Sequence, residues 1–291
     1  MYTHCSERRR ESGAYSFESV DRVGGVYTVL LPVDRNETHG LNQSRYVSRF
    51  LNVGSDLTVI VHHVAGSEAL PPFESIQPAV DVATRLEAGG IDVTRLLTRG
   101  GISQEIMRVA EAQSVDEIVI GGRRRRDVSV WLLGSTARDV TLSAHRPVTI
   151  IGDMGTGPSG QRTVLLPVDD DEQRVRRQVE FVTTLPNAPS IQVVVCHVFE
   201  SQDFDSATAH SFDDTRAAVE AADRLESAGH PVDRVGVGGE LPRAILDQAR
   251  RHEADAIVMG GRKRTGIQQA VFGSRVQEVL VSTERPVTIV G

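Results

Sequence analysis

Leu30-Leu31-Pro32-Val33-Asp34 returns as Leu165-Leu166-Pro167-Val168-Asp169, and this repetition decides the fold. Working outward from it, Gly121-Gly122-Arg123 with Gly134-Ser135 returns as Gly260-Gly261-Arg262 with Gly273-Ser274. Arg146-Pro147-Val148-Thr149-Ile150 closes the first copy and Arg285-Pro286-Val287-Thr288-Ile289 the second. The offset grows only from 135 residues at the opening motif to 139 at the closing one. A period that long is a whole domain rather than a solenoid repeat. Any binding site is therefore expected twice, and each copy tests the reading of the other.

Each copy alternates short β-branched runs with longer helical patterns, the signature of a parallel sheet covered by helices. Strands are expected at 27–33, 57–64, 91–97, 117–120 and 147–151, then at 163–168, 191–198, 232–237, 256–259 and 286–290. The run at 91–97 is the weakest. Helices are expected at 103–112, with Ile106, Val109 and Ala110 on one face, and at 241–251, with Leu241, Ile245 and Ala249 on one face. Pro242 suits the first turn of the second of these. The expected organisation is a flexible extension at 1–24, one domain at 25–152, a glycine-rich linker at 153–161 and a second domain at 162–291. The fold class is α/β, with two tandem doubly wound five-stranded parallel sheets. The last strand of each copy offers unpaired backbone, and its natural partner is the same strand of the other copy. That pairing would make an internal pseudo-dimer about an approximate two-fold axis, with further homo-oligomerisation left open.

Composition narrows the function. The 291 residues carry 39 acids against 32 Lys and Arg, for a net charge of −7, and Lys263 is the only lysine. That balance argues against general nucleic-acid binding, which draws on basic surface to displace counterions. No apolar run approaches the roughly 20 residues needed to span a bilayer, so no membrane partner is expected. Met1–Glu11 lacks the apolar stretch of a secretory signal. Two cysteines, Cys5 in the extension and Cys196 in an apolar strand, make no disulfide framework, which fits a reducing cytoplasm.

The chemistry gathers after the fourth strand. Ile118-Val119-Ile120 runs into Gly121-Gly122-Arg123-Arg124, then nine residues, then Gly134-Ser135. The second copy matches with Gly260-Gly261-Arg262-Lys263, nine residues and Gly273-Ser274. Glycine at a strand end allows close approach of backbone to a ligand. A serine at a helix N-terminus adds a hydroxyl to the positive end of the helix dipole, a setting for phosphate. Arginines, including Arg275 just inside the second helix, and Lys263 add charge-assisted hydrogen bonds.

These motifs, with Pro-Val-Asp and the His-Val strand ends (His63-Val64 and His197-Val198), resemble the universal stress protein family over roughly residues 25–152 and 162–291. The resemblance implies an adenine nucleotide alpha hydrolase-like, Rossmann-like fold and a role in stress response. It also implies binding of ATP or another adenine nucleotide, with Mg²⁺, at Asp34, Val64, Gly121, Arg123, Gly134 and Ser135. The second set is Asp169, Val198, Gly260, Arg262, Lys263, Gly273 and Ser274. In the family pattern, Arg124 and Lys263 stand where a second loop glycine is usual. A long side chain resists a positive φ there, although a cation can pair with phosphate.

Three readings follow. One is a nucleotide-dependent conformational or partner switch. Another is a regulatory or assembly module of the same fold that binds no nucleotide. The third is a slow ATPase in which the Asp169–Asp171 run holds a metal. No arrangement with nucleophile-and-base logic repeats in both copies, so no catalytic residue is expected. His62, His63 and His197 read as satisfied strand-end histidines rather than metal ligands. Glu87 and Glu226, each after Arg-Leu, read as a repeated helix surface. Asp34 and Asp169 suit either a helix cap or a ligand. Gly266 makes the second loop the more adaptable of the two, while the three acids beside it repel phosphate unless a cation intervenes.

Overall fold

The computed structural model describes residues 25–52, 56–66, 70–124, 131–132, 134–152, 160–199, 211–261 and 273–291, with backbone only at 123–124 and 131–132. The first copy runs β1 (Tyr27–Pro32), α1 (Glu37–Tyr46), β2 (Leu57–Ala65), α2 (Gln77–Ala88), β3 (Asp92–Arg99), α3 (Ile102–Ala112) and β4 (Glu117–Gly121). A two-residue pair, β5 (Arg123–Arg124) and β6 (Trp131–Leu132), precedes α4 (Ser135–Ser143) and β7 (Val148–Ile151). The second copy runs β8 (Arg162–Val168), α5 (Glu172–Thr184), β9 (Ile191–Phe199), α6 (Arg216–Ser227) and β10 (Val232–Gly238). It closes with α7 (Leu241–Arg251), β11 (Ala256–Gly260), α8 (Ser274–Ser282) and β12 (Val287–Val290).

All strands except the β5–β6 pair join one sheet in the order β10-β9-β8-β11-β12-β7-β4-β1-β2-β3. Neighbours are parallel throughout, save where β7 meets β12 antiparallel. Within each half, the chain works outward from the first strand in one direction and then jumps to its other side. Each half is thus a five-stranded doubly wound unit. The outer edges are β3 and β10, whose half-exposed pattern explains the weak periodicity at 91–97. Charged residues such as Arg95 and Arg234 sit on these edges, where they discourage further pairing.

Alternation along the strands feeds two cores, one on each face. Val29 and Leu31 join α1 and α2 on one face, through Phe50 just past α1 and through Ala79 and Leu86. Leu30, Ile60 and Ile118 join α3 and α4 on the other, through Ile106, Val109 and Val140. The second copy repeats this with α5 and α6 on one side and α7 and α8 on the other. Each fully buried Leu or Ile contributes about 1.5–3 kcal/mol. Burial on both faces is why these strands read as continuous apolar runs rather than alternating ones. Pro242 lies in the first turn of α7, as its place in the sequence suggested.

Where the halves meet, Thr149 stands opposite Thr288, Ile150 opposite Val287, and Val148 opposite Ile289. Equivalent residues of the two copies therefore exchange places across the pair. The polar groups beside this seam do not repeat. The fully buried Glu117 accepts hydrogen bonds from Tyr27 Oη at 3.0 Å, Tyr46 Oη at 3.1 Å and the Thr149 hydroxyl, and the Thr149 and Thr288 hydroxyls touch at 2.6 Å. Burial pushes the Glu117 carboxyl up to about 7, the hydroxyl donors offsetting only part of the lost hydration. Burial, then the neighbouring carboxyl, raises both tyrosines well above their ordinary range, so they remain donors. At the position equivalent to Tyr27 stands Arg162. Its guanidinium donates to Phe50 O at 2.7 Å across the seam and to Pro186 O, Asn187 O and Ser190 Oγ within its own half.

Candidate functional site

The first strand of each half pairs on either side with strands reached by opposite turns of the chain. Such a switch point opens a crevice at the carboxyl ends of the strands. In the first copy Gln43 from α1 spans this divergence, its Nε2 donating to Pro32 O and Val119 O, both at 2.9 Å. Gln178 from α5 does the same to Pro167 O at 2.9 Å and Val258 O at 3.0 Å. Sequence reasoning missed this pair. Its signal was present, since both glutamines lie nine residues after the repeated aspartate.

Around each crevice the expected residues converge. Asp34, Val64, Gly121, Gly134 and Ser135 line one cavity of about 630 Å³. Asp169, Val198, Gly260, Gly273 and Ser274 line another of about 800 Å³, which Arg275 also reaches. Arg123 lies on β5 next to the first cavity's glycine strand. Arg262 and Lys263 lie outside the described residues. The concern over Arg124 is removed for the backbone, since it sits in an extended strand paired with Trp131 and needs no positive φ.

The aspartates end the first strand and hold the turn that follows. Asp34 Oδ1 accepts from Asn36 N at 2.9 Å, and Asn36 in turn caps α1 by accepting from Thr38 N at 3.0 Å. Asp169 Oδ1 accepts from Asp171 N at 3.1 Å, and Asp171 caps α5 by accepting from Arg174 N at 3.1 Å. The caps are thus the residues two places beyond the aspartates. The other Asp34 oxygen lies 3.0 Å from His39 Nδ1. The other Asp169 oxygen meets Arg174 Nη1, while Arg174 Nη2 binds Asp171 Oδ2 at 2.7 Å. Arg174 is the cation interposed among the three acids, a feature sequence reasoning did not find.

The glycines have a packing reason. A Cβ on Gly121 would fall 2.8 Å from His39 Cβ, and one on Gly260 would collide with the Cγ and Cδ of Arg174. The next amides, Gly122 N and Gly261 N, donate to Ile151 O at 2.8 Å and Val290 O at 2.6 Å. They hold the fourth strand to the last and are not spare donors.

Further donors lie one step on. Gly134 and Gly273 begin α4 and α8 without a side-chain cap. The first intrahelical bond of α4 runs from Arg138 N to Gly134 O, and that of α8 from Gln277 N to Gly273 O. The first-turn amides thus point outward with the positive end of the dipole. The hydroxyls of Ser135 and Ser274 have no partner among the described residues. Each cavity therefore pairs an aspartate-closed strand end with a helix end suited to an anion.

The histidines are occupied structurally. His63 Nδ1 donates to Val33 O at 2.7 Å and His197 Nδ1 to Val168 O at 3.1 Å, each steadying the strand end above the cavity. His62 lines the first cavity from below, 2.8 Å from Thr98 Oγ1, and burial pushes it down to about 4, so it is neutral. At the equivalent strand position the second copy has Cys196, a core residue, its thiol pushed by burial up to about 12 and therefore unreactive. Among the described residues no group of three His, Cys, Asp or Glu is placed to hold a metal. No helix among them is long and apolar enough to cross a membrane.

Comparison with known proteins follows the duplication. The family described as "Universal stress protein family" matches residues 28–152 and 161–291. A universal stress protein from Archaeoglobus fulgidus has 20% identity over 91% of this chain and 98% of its own, with a TM-score of 0.67. A functionally unknown protein from Pseudomonas aeruginosa has 16% identity over 90% of this chain and 91% of its own, with a TM-score of 0.61. A universal stress protein solved in complex with cAMP matches 45% of this chain and 97% of its own at 20% identity, with a TM-score of 0.35.

Proposed function

The chain belongs to the universal stress protein family, and from that premise we propose that it binds an adenine nucleotide, as ATP, ADP or AMP with Mg²⁺, and acts by conformational or partner switching. The observation that carries this reading is the crevice at the strand switch point. One wall presents an aspartate, and the opposite rim presents a Gly-Ser helix start that has no side-chain cap and whose serine hydroxyl has no partner among the described residues. In this reading Asp34, Val64, Asp169 and Val198 face the nucleoside. Gly121, Gly134, Ser135, Gly260, Gly273 and Ser274 face ribose and phosphates, with Arg123, Arg262 and Lys263 as phosphate partners. The proposed domains are 25–152 and 162–291, joined as an internal pseudo-dimer. The antiparallel pairing of β7 with β12, in which equivalent residues exchange places, supports that arrangement. A cytoplasmic setting fits the free, buried Cys196 thiol.

Thermal unfolding tests the proposal. A ligand at about 100 times its dissociation constant stabilises the native state by about 2.7 kcal/mol, so millimolar Mg-ATP should raise the melting temperature by several degrees. Ser135→Ala and Ser274→Ala together should reduce that rise. No shift with ATP, ADP or AMP, with or without Mg²⁺, removes the reading. One observation favours the alternative of a module without nucleotide: the Gly122 and Gly261 amides are committed to Ile151 O and Val290 O. That alternative is discarded if the serine variants lose a measurable nucleotide affinity while keeping their fold.

A further inference from the structure

We infer that the first copy is the nucleotide-binding copy and that Arg174 closes the second; this rests on the nucleotide reading above. Equivalent strands and helices frame the two cavities. They differ in the side chain that the first helix of each half lays over the glycine at the end of the fourth strand. In the first copy that residue is His39, in the second Arg174, each five residues after its aspartate.

Arg174 is pinned. Its two terminal nitrogens reach two carboxylates, Asp169 and Asp171, and its Cγ and Cδ lie against Gly260. The side chain is 11% exposed although the residue lines the cavity. Asp169 is occupied on both oxygens, by Asp171 N and Arg174, as Asp34 is by Asn36 N and His39; what differs is that Arg174 is held by a second carboxylate as well. A ligand entering here has to displace a guanidinium held by two charge-assisted bonds. It would then leave Asp169 and Asp171 without their cation and stand beside Asp170 and Asp214, which also line this cavity. Arg275 is the other cation among the described lining residues, so with Arg174 displaced an anionic ligand meets a wall of net negative charge.

The first cavity carries less of this. Asn36 stands where Asp171 stands in the second copy, so His39 meets one carboxylate instead of two. The charged lining pairs Asp34 with Arg35. An imidazole is also the shorter obstacle. Volume does not separate the sites, since the second cavity is the larger at about 800 Å³. The difference lies in charge and in what sits over the glycine. It reverses the preference for the second copy that loop flexibility suggests.

Isothermal titration of the full chain with Mg-ATP tests this by exchanging residues between the copies. The wild type should bind one nucleotide per chain. Arg174→His with Asp171→Asn should bring the number to two, while His39→Arg with Asn36→Asp should abolish binding. Circular dichroism and melting temperature report whether each variant folds, and Arg174→Gln with Asp171→Asn serves if the histidine variant does not. Two nucleotides on the wild type overturn the inference and leave the nucleotide reading intact. So does a single nucleotide that survives the His39→Arg exchange. A wild type and variants that all fail to bind bring down both.

Discussion

The two halves of this protein share a strand order, a helix plan and a pair of glutamines that tie the crevice, yet their polar chemistry diverges at equivalent positions. Tyr27 stands against Arg162, Tyr46 against Phe181, Glu117 against Ala256, His39 against Arg174 and His62 against Cys196. The first three pairs flank the seam and the last two the cavities. A parallel sheet needs apolar residues on both faces, and both copies supply them wherever the strands are buried. The polar partnerships that specialise each half are free to differ, because each needs only to satisfy its own donors and acceptors. Duplication therefore carried the frame forward while each half acquired its own chemistry.

The largest test of this contrast lies at the seam. Arg162→Ala removes the donor to three buried or half-buried carbonyls and one hydroxyl. Leaving such groups unpaired costs about 3–5 kcal/mol in all. Tyr27→Phe, the equivalent site, loses one hydrogen bond to Glu117 and about 1–2 kcal/mol. Urea unfolding of both variants measures the difference. Equal losses would show that the two sides of the seam do not divide the work in this way.

Next comes the dependence on pH. The Glu117 carboxyl is raised from 4.5 to about 7 in the folded chain, so between those values the folded state holds more protons than the unfolded one. Its contribution is complete below pH 4.5 and is lost as pH rises through 7, a fall of about 3 kcal/mol at most. Glu117→Gln should flatten unfolding free energy between pH 4.5 and 7. An unchanged slope would remove the buried carboxyl from the account. His62 acts in the opposite sense. Lowered to about 4, it costs stability as pH falls from 6.5 toward 4, and His62→Cys, borrowing the residue of the second copy, should remove that acid-side loss.

The smallest effect belongs to what the copies share on their surface. Arg95 grips Glu87 at 2.8 and 3.2 Å, and Arg234 grips Glu226 at 3.0 and 3.2 Å. The repeated glutamates are therefore the helix end of an ion pair to the edge strand. Exposed pairs of this kind contribute about 0.2–1 kcal/mol. Arg95→Ala and Arg234→Ala should each change stability by less than about 1 kcal/mol, with the difference shrinking in high salt. A larger loss in only one copy would show that a repeated pair has taken on an unequal role.

Much of the candidate site was legible because it lies at strand and helix ends. Pro-Val-Asp, the strand-ending glycine and Gly-Ser mark such ends, and the topology brings their residues to one crevice in each half. The roles were less legible. Gly121 and Gly260 read as openings for a ligand, whereas their missing Cβ atoms make room for His39 and Arg174. The three acids at 169–171 read as unbalanced because their cation lies three residues further along, on the first turn of a helix. Its direction toward Asp169 depends on where that turn sits.

The sequence by itself determined the duplication, the α/β class, the placement of the ten long strands and five of the residues that line each cavity. These follow from local periodicity and from motifs at element ends, which a chain displays whatever its neighbours. Only the tertiary structure decided that Glu117 is buried among two tyrosines and a threonine, and that Arg162 reaches across to Phe50. It also decided that Arg174 lies over Gly260. Those partners are up to 112 residues apart in sequence. Which of them meet is set by strand order and by the β7–β12 pairing, and no local pattern records that.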